Sequence, residues 1–430
     1  MITKEELARH RLPEDCWVAI EGKVYDLTGF LDRHPGGRNL LLPFAGKDAT
    51  RAFTGKHPSS FLTMIPAKDL KGELEGWIPP AGTPAAEPGT KPPLESLLNV
   101  REFQAVAEAS MGRSEWLYYS SAAQDERTFA ENEAAFGRWW FRPRVLVDVS
   151  RVDTSTTVLG YQTSFPLFLS ASALAGLADP EAEVALARAA QAAGVLQMVP
   201  TISTKTHEEI AAARAPGQTQ FFQLYVSRDH RVTESLVRRV EELGYRAIFL
   251  TVDTPLVGRR ERDKGVIRSL GTISDPSLTW DFVDWLKTIT TLPLVLKGIQ
   301  RGEDAVLAEA HGAAGVVVSN HGGRQLDGAR PTLDALIEVR RYLRHDSPLE
   351  VYLDGGVRRG GDIVKALALG ARAVGLARPV LYGLASYGQA GAEAVFNLLH
   401  EETALCMALC GAPAVGAISR DLVARSFSDS

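Results

Sequence analysis

The sequence predicts a (β/α)8 barrel preceded by a small separate domain. Three observations carry that prediction. A proline-rich run divides the chain at residues 79–93, eight short apolar runs recur beyond it, and helical patterns separate those runs. At 430 residues the chain is also too long for one compact core and suits two or three domains.

The seam reads Pro-Pro-Ala-Gly-Thr-Pro-Ala-Ala-Glu-Pro-Gly-Thr-Lys-Pro-Pro. Such a run disfavours helix and sheet alike and behaves as an extended linker. It sets off a domain at residues 1–78 from one at residues 94–430. In the larger segment the apolar runs lie at residues 166–171, 195–199, 221–225, 247–253, 294–298, 315–320, 351–356 and 373–377. Runs apolar throughout fit strands buried on both faces of a parallel sheet. Helical patterns such as residues 181–193 and 232–243 fall between them. Eight such units point to a closed barrel. A doubly wound open sheet lacks support, because no Gly-x-Gly-x-x-Gly turn follows the first strand.

Composition narrows the function classes. Hydrophobic residues make up 45% and charged residues 23%, with a net charge of −5 and no block of like charges. Nucleic acid is not expected as a partner, since no basic stripe is present. No run of about 18 apolar residues suggests a membrane span. The three cysteines, Cys16, Cys406 and Cys410, do not make a disulfide framework and fit a reducing compartment. Cys406 and Cys410 read as small buried residues one helical turn apart rather than as metal ligands. No signal core or arginine-rich transit peptide opens the chain. A cytoplasmic site is expected, or the mitochondrial intermembrane space if a targeting segment has been removed.

Chemistry first appears at His34-Pro35-Gly36-Gly37, with a second histidine at His57. The proline and glycines turn the chain tightly. Phe30, Leu31, Leu40, Leu41, Phe44 and Phe53 are candidate walls for an apolar pocket, and His10 is placed at the surface. Two imidazoles on opposite sides of a haem iron fill both axial positions, which suits electron transfer and not oxygen activation. Residues 17–57 resemble the cytochrome b5 family through Trp17-Val18, the run Lys23 to Thr28, the His34 motif, the run Ala45 to Thr50, and His57. The resemblance implies a small α+β domain with a b-type haem held by His34 and His57.

In the barrel, polar residues gather at the C-terminal ends of the predicted strands, where barrel enzymes build their sites. They include Tyr225, Asp253, Lys297, the run Ser319 to Asp327, the run Asp354 to Arg358, and Arg378. Within Ser319-Asn320-His321-Gly322-Gly323-Arg324, histidine suits proton transfer near neutral pH and arginine suits a carboxylate. That pair fits oxidation of a 2-hydroxy acid. Gly-rich turns with Arg358 and Arg378 mark the usual phosphate corner of a barrel, and Lys297 suits an anionic reduced flavin.

Residues 94–430 resemble the FMN-dependent 2-hydroxy acid dehydrogenases and oxidases. The shared stretches are Tyr118 to Ser121, Gln223 to Tyr225, Thr251 to Pro255, Ser319 to Asp327 and Asp354 to Gly360. The resemblance implies His321 as base, Asp253 as its supporting carboxylate and Tyr225 on the substrate hydroxyl. It implies Arg324, Tyr118 and a mobile Arg260 on the substrate carboxylate. Ser170, Ala171, Ser172, Ala173, Gln223, Thr251 and Lys297 are then expected against the flavin ring. Asp354, Gly355, Gly356, Val357, Arg358, Ala377 and Arg378 are expected on its ribityl phosphate. Ala173 and Ile202 are expected to face the substrate side chain, which favours a methyl group and makes L-lactate the leading substrate.

Four features depart from the family pattern: Pro200 where serine is common, Ala122 and Ala377 where glycine is common, and a short segment after Arg260. The two resemblances in tandem imply FMN and haem b, an external acceptor such as a cytochrome c, and a homo-oligomer, a tetramer by resemblance. The alternative is an oxidase that uses oxygen and carries a regulatory haem domain.

Overall fold

A computed structural model of the chain describes residues 1–33, 38–54, 62, 65–77, 91–263 and 274–425. They fall into two compact units, Met1–Pro92 and Pro93–Ser430. Among the described residues no helix is long and apolar enough to cross a membrane.

The first unit is built on an antiparallel sheet of β1 (Arg11–Leu12), β2 (Asp15–Ile20), β3 (Lys23–Asp26) and β4 (Leu70–Glu73), in that order. Strand periodicity divides its side chains between two faces. Cys16, Val18 and Ile20 join Tyr25, Leu27, Leu31, Ala45 and Ala49 in one apolar cluster. Trp17 and Ala19 join Ile2, Leu7, Val24 and Leu74 in the other. Against the first cluster lie the half-buried Leu41, Phe44, Phe53, Leu62 and Ile65. Phe30 is 37% exposed. His10 lies half-buried at the surface. Its ring stacks on Trp17 at 3.6 Å and its Nδ1 lies 2.8 Å from Asp15 Oδ1. His34 and His57 lie outside the described residues.

In the second unit, β5 (Trp139–Phe141) pairs with β16 (Val423–Arg425) near the chain end, and β6 (Thr156–Val158) and β7 (Tyr161–Thr163) form a hairpin. Eight parallel strands close the barrel. They are β8 (Leu167–Leu169), β9 (Leu196–Pro200), β10 (Gln220–Leu224), β11 (Ile248–Thr251), β12 (Leu294–Ile299), β13 (Gly315–Val318), β14 (Glu350–Asp354) and β15 (Ala373–Leu376). Each matches one apolar run of the sequence.

Alternation explains why the runs are apolar throughout. Phe168, Met198, Phe221, Phe249, Val295, Val317, Tyr352 and Ala373 point into the barrel and pack on one another. Their strand neighbours, among them Leu167, Val199, Phe222, Ile248 and Leu296, pack outward into the helix layer. Both faces are therefore buried, as all-parallel sheets require. Cys410 is buried near the end of the long helix Arg378–Leu409, whereas Cys406 is only half-buried. No metal-ligating cluster occurs among the described residues.

Candidate active site

The turns that follow the C-terminal ends of the barrel strands surround one cavity. Its lining includes Tyr118, Tyr225, Arg260, His321, Arg324, Ala173 and Ile202, together with every residue expected against the flavin or its phosphate. Asp253 is the exception, buried directly behind His321.

His321 follows β13 in a strained turn. Its own φ is +59°, and Gly322 and Gly323 follow at +64° and +77°. Three successive left-handed residues would be costly without the glycines. A Cβ on Gly322 would lie 2.6 Å from Arg378 Nη2, and one on Gly323 would lie 2.7 Å from the Phe129 backbone nitrogen. The turn is held by the His321 N–H, which donates to Ser319 Oγ at 3.0 Å.

The imidazole is oriented from behind. Nδ1 lies 3.0 Å from Asp253 Oδ1, and because a carboxylate only accepts, Nδ1 carries the proton. Nε2 is left as a lone pair facing the cavity, 3.5 Å from the Tyr225 hydroxyl. Burial alone would raise the Asp253 carboxyl, but His321, Lys297 and the Thr254 hydroxyl outweigh it and hold it below the ordinary aspartate value. Burial pushes the Tyr225 phenol up to about 12, so it stays protonated at any physiological pH.

Lys297 reaches the mouth through a bulge. The register of β12 against β13 shifts between Lys297 and Ile299. Gly298, at φ +119°, leaves no room for a Cβ, which would stand 2.5 Å from that of Asp253. Burial disfavours the ammonium, yet Asp354 at 3.1 Å and Asp253 hold it above the usual lysine value. Ser319 Oγ completes the cluster, 3.1 Å from Lys297 Nζ and 2.6 Å from Asp354 Oδ1.

Arg324 lies over the Tyr118 ring at 5.1 Å and donates to the carbonyls of Tyr118 at 2.8 Å and Tyr119 at 3.1 Å. Those bonds fix the plane of the guanidinium and leave other N–H groups for a ligand. Arg260 lies over the same ring at 5.8 Å. Its Nε and Nη1 are buried without a hydrogen-bond partner among the described residues. Burial and the neighbouring Arg324 bring its pKa down to about 9. Such a cation calls for an anion.

The cavity fits FMN on these grounds. Arg358 and Arg378 are both buried at the Gly-rich end. Burial, with Arg358 and Arg324 nearby, depresses Arg378 to about 9. Its Nη1 has no partner among the described residues, while its Nη2 donates to the Gly322 carbonyl at 2.6 Å. Two buried arginines with spare donors suit a phosphate. On the ring side, Gln223 Nε2 donates to Thr251 Oγ1 at 3.0 Å, and the buried Ser170 Oγ has no partner among the described residues. Ala377 precedes the helix Arg378–Leu409 as its N-terminal cap residue. Pro200 ends β9, and its carbonyl lies 3.2 Å from His207 Nε2.

Three neighbours were not singled out by the sequence. Thr254 bridges Asp253 Oδ1 at 3.2 Å and His321 Nδ1 at 3.4 Å. Phe129 presents its ring to Arg378 at 4.4 Å. Tyr119 lines the cavity and donates from Oη to the Leu174 carbonyl at 2.6 Å. Tyr119 and Thr254 left a signal, in the stretches Tyr118 to Ser121 and Thr251 to Pro255, whereas Phe129 left none.

Comparison with known proteins agrees with this geometry. A family model described as FMN-dependent dehydrogenase matches residues 107–271 and 264–425, and one described as cytochrome b5-like heme/steroid binding domain matches residues 3–75. An L-lactate dehydrogenase (cytochrome) of Wickerhamomyces anomalus is 41% identical over 455 residues, covering 98% of this chain and 79% of the relative. A glycolate oxidase of Spinacia oleracea is 43% identical over 360 residues, covering 77% of this chain and 96% of its own. Among solved structures, an arginine-to-lysine mutant of flavocytochrome b2 aligns with a TM-score of 0.75 at 42% identity, over 78% of this chain and 88% of that one. The chain therefore belongs to the FMN-dependent dehydrogenase family and carries a cytochrome b5-like domain at its N-terminal end.

Proposed function

We propose that this enzyme oxidises a short L-2-hydroxy acid, with L-lactate to pyruvate as the leading reaction. The observation that carries the proposal is the His321 imidazole, fixed on Nδ1 by buried Asp253 and open on Nε2 beside Tyr225 and Arg324. The substrate carboxylate lies on Arg324, with Arg260 and the Tyr118 hydroxyl beside it. The substrate hydroxyl meets Tyr225. His321 Nε2 takes the proton that the substrate releases, and Asp253 stabilises the resulting imidazolium.

FMN, when bound, supplies a two-electron acceptor that can be reoxidised one electron at a time. Ser170 to Ala173, Gln223, Thr251 and Lys297 hold its ring, and Asp354 to Arg358 with Ala377 and Arg378 hold its phosphate end. A b-type haem on His34 and His57 supplies one-electron transfer toward an external cytochrome. We extend the reading to a homo-oligomer, a tetramer by resemblance. The match to L-lactate dehydrogenase (cytochrome) over 98% of the chain supports this assignment over a plain oxidase.

The oxidase reading has one point in its favour, the 43% identity to a glycolate oxidase over 77% of this chain. Anaerobic mixing of the holoenzyme with lactate, glycolate, 2-hydroxybutyrate and mandelate separates the two. Bleaching of the flavin followed by reduction of the haem is expected, with lactate fastest. Haem that stays oxidised, with steady peroxide formation once air is admitted, would favour the oxidase.

A further inference from the structure

We propose that Glu183 is a positioning residue that sets the width of the substrate side-chain pocket. The proposal rests on the reading above that Ala173 and Ile202 face that side chain. Glu183 sits in the first turn of the helix Ala182–Ala192 and is 1% exposed. It does not line the cavity, and the proton transfer assigned above makes no use of it.

Its two oxygens accept from three backbone N–H groups. Oε1 takes those of Ala175 and Thr204, each at 3.0 Å, and Oε2 takes that of Lys205 at 3.1 Å. Ala175 is on the turn after β8, two residues beyond Ala173. Thr204 and Lys205 are on the turn after β9, just beyond Ile202. One carboxylate thus ties together the two turns that carry the two pocket residues. Charge-assisted bonds of this kind are roughly twice as strong as neutral ones.

The rest of the contact is short and directional. The Leu174 N–H donates to the Ile202 carbonyl at 3.3 Å, and the Gly176 N–H donates to Thr204 Oγ1 at 2.9 Å. The turns approach so closely that a Cβ on Gly176 would stand 2.5 Å from Thr204 Cγ2. Tyr119 Oη clamps the Leu174 carbonyl from the other side. A buried acid with three N–H partners split across two turns is a spacer for whatever those turns hold.

Glu183→Gln keeps the shape but turns one acceptor oxygen into a donor, which faces N–H groups. The turns separate and the pocket loses discrimination against a longer side chain. The ratio of kcat/KM for lactate over 2-hydroxybutyrate should fall roughly 3–10-fold, a part of the 10–200-fold that one methylene commands. Arg324 and His321 come from another strand, so oxalate inhibition and the pH dependence of flavin reduction should not move. Thr204→Val removes only the acceptor for Gly176 and should give a smaller fall in the same direction. A folded, FMN-loaded Glu183→Gln protein with the wild-type ratio overturns the proposal, as does an equal loss for both acids. Should Glu183→Gln not fold, an unchanged ratio in Thr204→Val overturns it instead. Ala173→Gly in the wild-type background isolates the underlying reading. If that variant leaves the ratio unchanged, the assignment of Ala173 to the side-chain pocket fails. If it shifts the ratio while Glu183→Gln does not, the role of Glu183 alone is refuted.

Discussion

Asp253→Asn tests the proton transfer most directly. In the wild type a buried carboxylate stands 3.0 Å from the Nδ1 that becomes positive when His321 takes a proton. Coulomb's law at that distance, with an effective dielectric of about 20, gives an attraction of about 5 kcal/mol. The His321 side chain is 24% exposed and asparagine retains one accepting oxygen, so the loss should be smaller, roughly 3–5 kcal/mol. At about 1.4 kcal/mol per decade, flavin reduction should slow roughly 10²- to 10⁴-fold. An asparagine turned to present its amide donates to Nδ1 and selects the wrong tautomer, which adds to the loss. The assay is anaerobic stopped-flow of flavin absorbance against lactate concentration. Oxalate affinity should stay within a few-fold, since Arg324 keeps its carbonyl partners. Flavin reduction within threefold of wild type would refute the assignment of His321 and Asp253 as a working pair.

Tyr225→Phe should slow flavin reduction roughly tenfold through loss of one hydrogen bond. Because the phenol sits at about 12, wild type and variant should share the same alkaline limb below about pH 11; a limb that disappears in the variant would contradict this. Arg378→Met should leave the FMN-free protein as stable or more so, because the folded state depresses that arginine's pKa and so disfavours its charge at neutral pH. The same variant should bind FMN at least roughly tenfold more weakly by fluorescence titration. His34→Ala and His57→Ala should each abolish the reduced haem bands while flavin reduction by lactate continues, and bands that persist in both would remove the ligand assignment. Acid unfolding carries a signature of Asp253. Its folded value is depressed, so its contribution is present above the ordinary aspartate pKa of about 4 and is lost as pH falls through the lower folded value. The Asp253→Asn protein should lack that part of the acid dependence in a thermal-melt series.

The barrel was legible because its strands are buried on both faces, which writes them as continuous apolar runs between helical patterns. The gathering of His321, Arg324, Lys297 and Arg378 was legible for a related reason. Strands that all run one way put their following turns at one mouth, so strand-end polar residues converge without knowledge of their contacts. What stayed hidden is proximity between residues far apart in sequence with ordinary local roles. Phe129 reads as one apolar residue in the helix Arg127–Gly137, and nothing local says that its ring faces Arg378. Glu183 reads as an acidic residue in a helix first turn, the pattern of a solvated cap. Its burial follows from the turns after two neighbouring strands closing over it. The stacking of His10 on Trp17 and its pairing with Asp15 were equally hidden, because they depend on how β1 and β2 fold back on each other.

The charges around the cavity fall into two groups, and the difference follows the ligands each serves. Lys297 and Asp253 are compensated inside the protein, by Asp354 and by His321, and their pKa values move toward their charged forms. Among the described residues Arg260 and Arg378 keep N–H groups without a partner, and burial pushes both down to about 9 against the smaller opposing pull of Asp263 and Glu126. In the proposed reaction the first group would hold its charge before and during turnover, orienting the base and facing the flavin. In the same proposal the second would receive anions from solution, the substrate carboxylate at Arg260 and the cofactor phosphate at Arg378. A carboxylate hydrogen-bonded to Arg260 or Arg378 would steady the empty protein and compete with those ligands. If binding completes these two cations, as the proposed function has it, ligand binding and stability are coupled at those same two arginines.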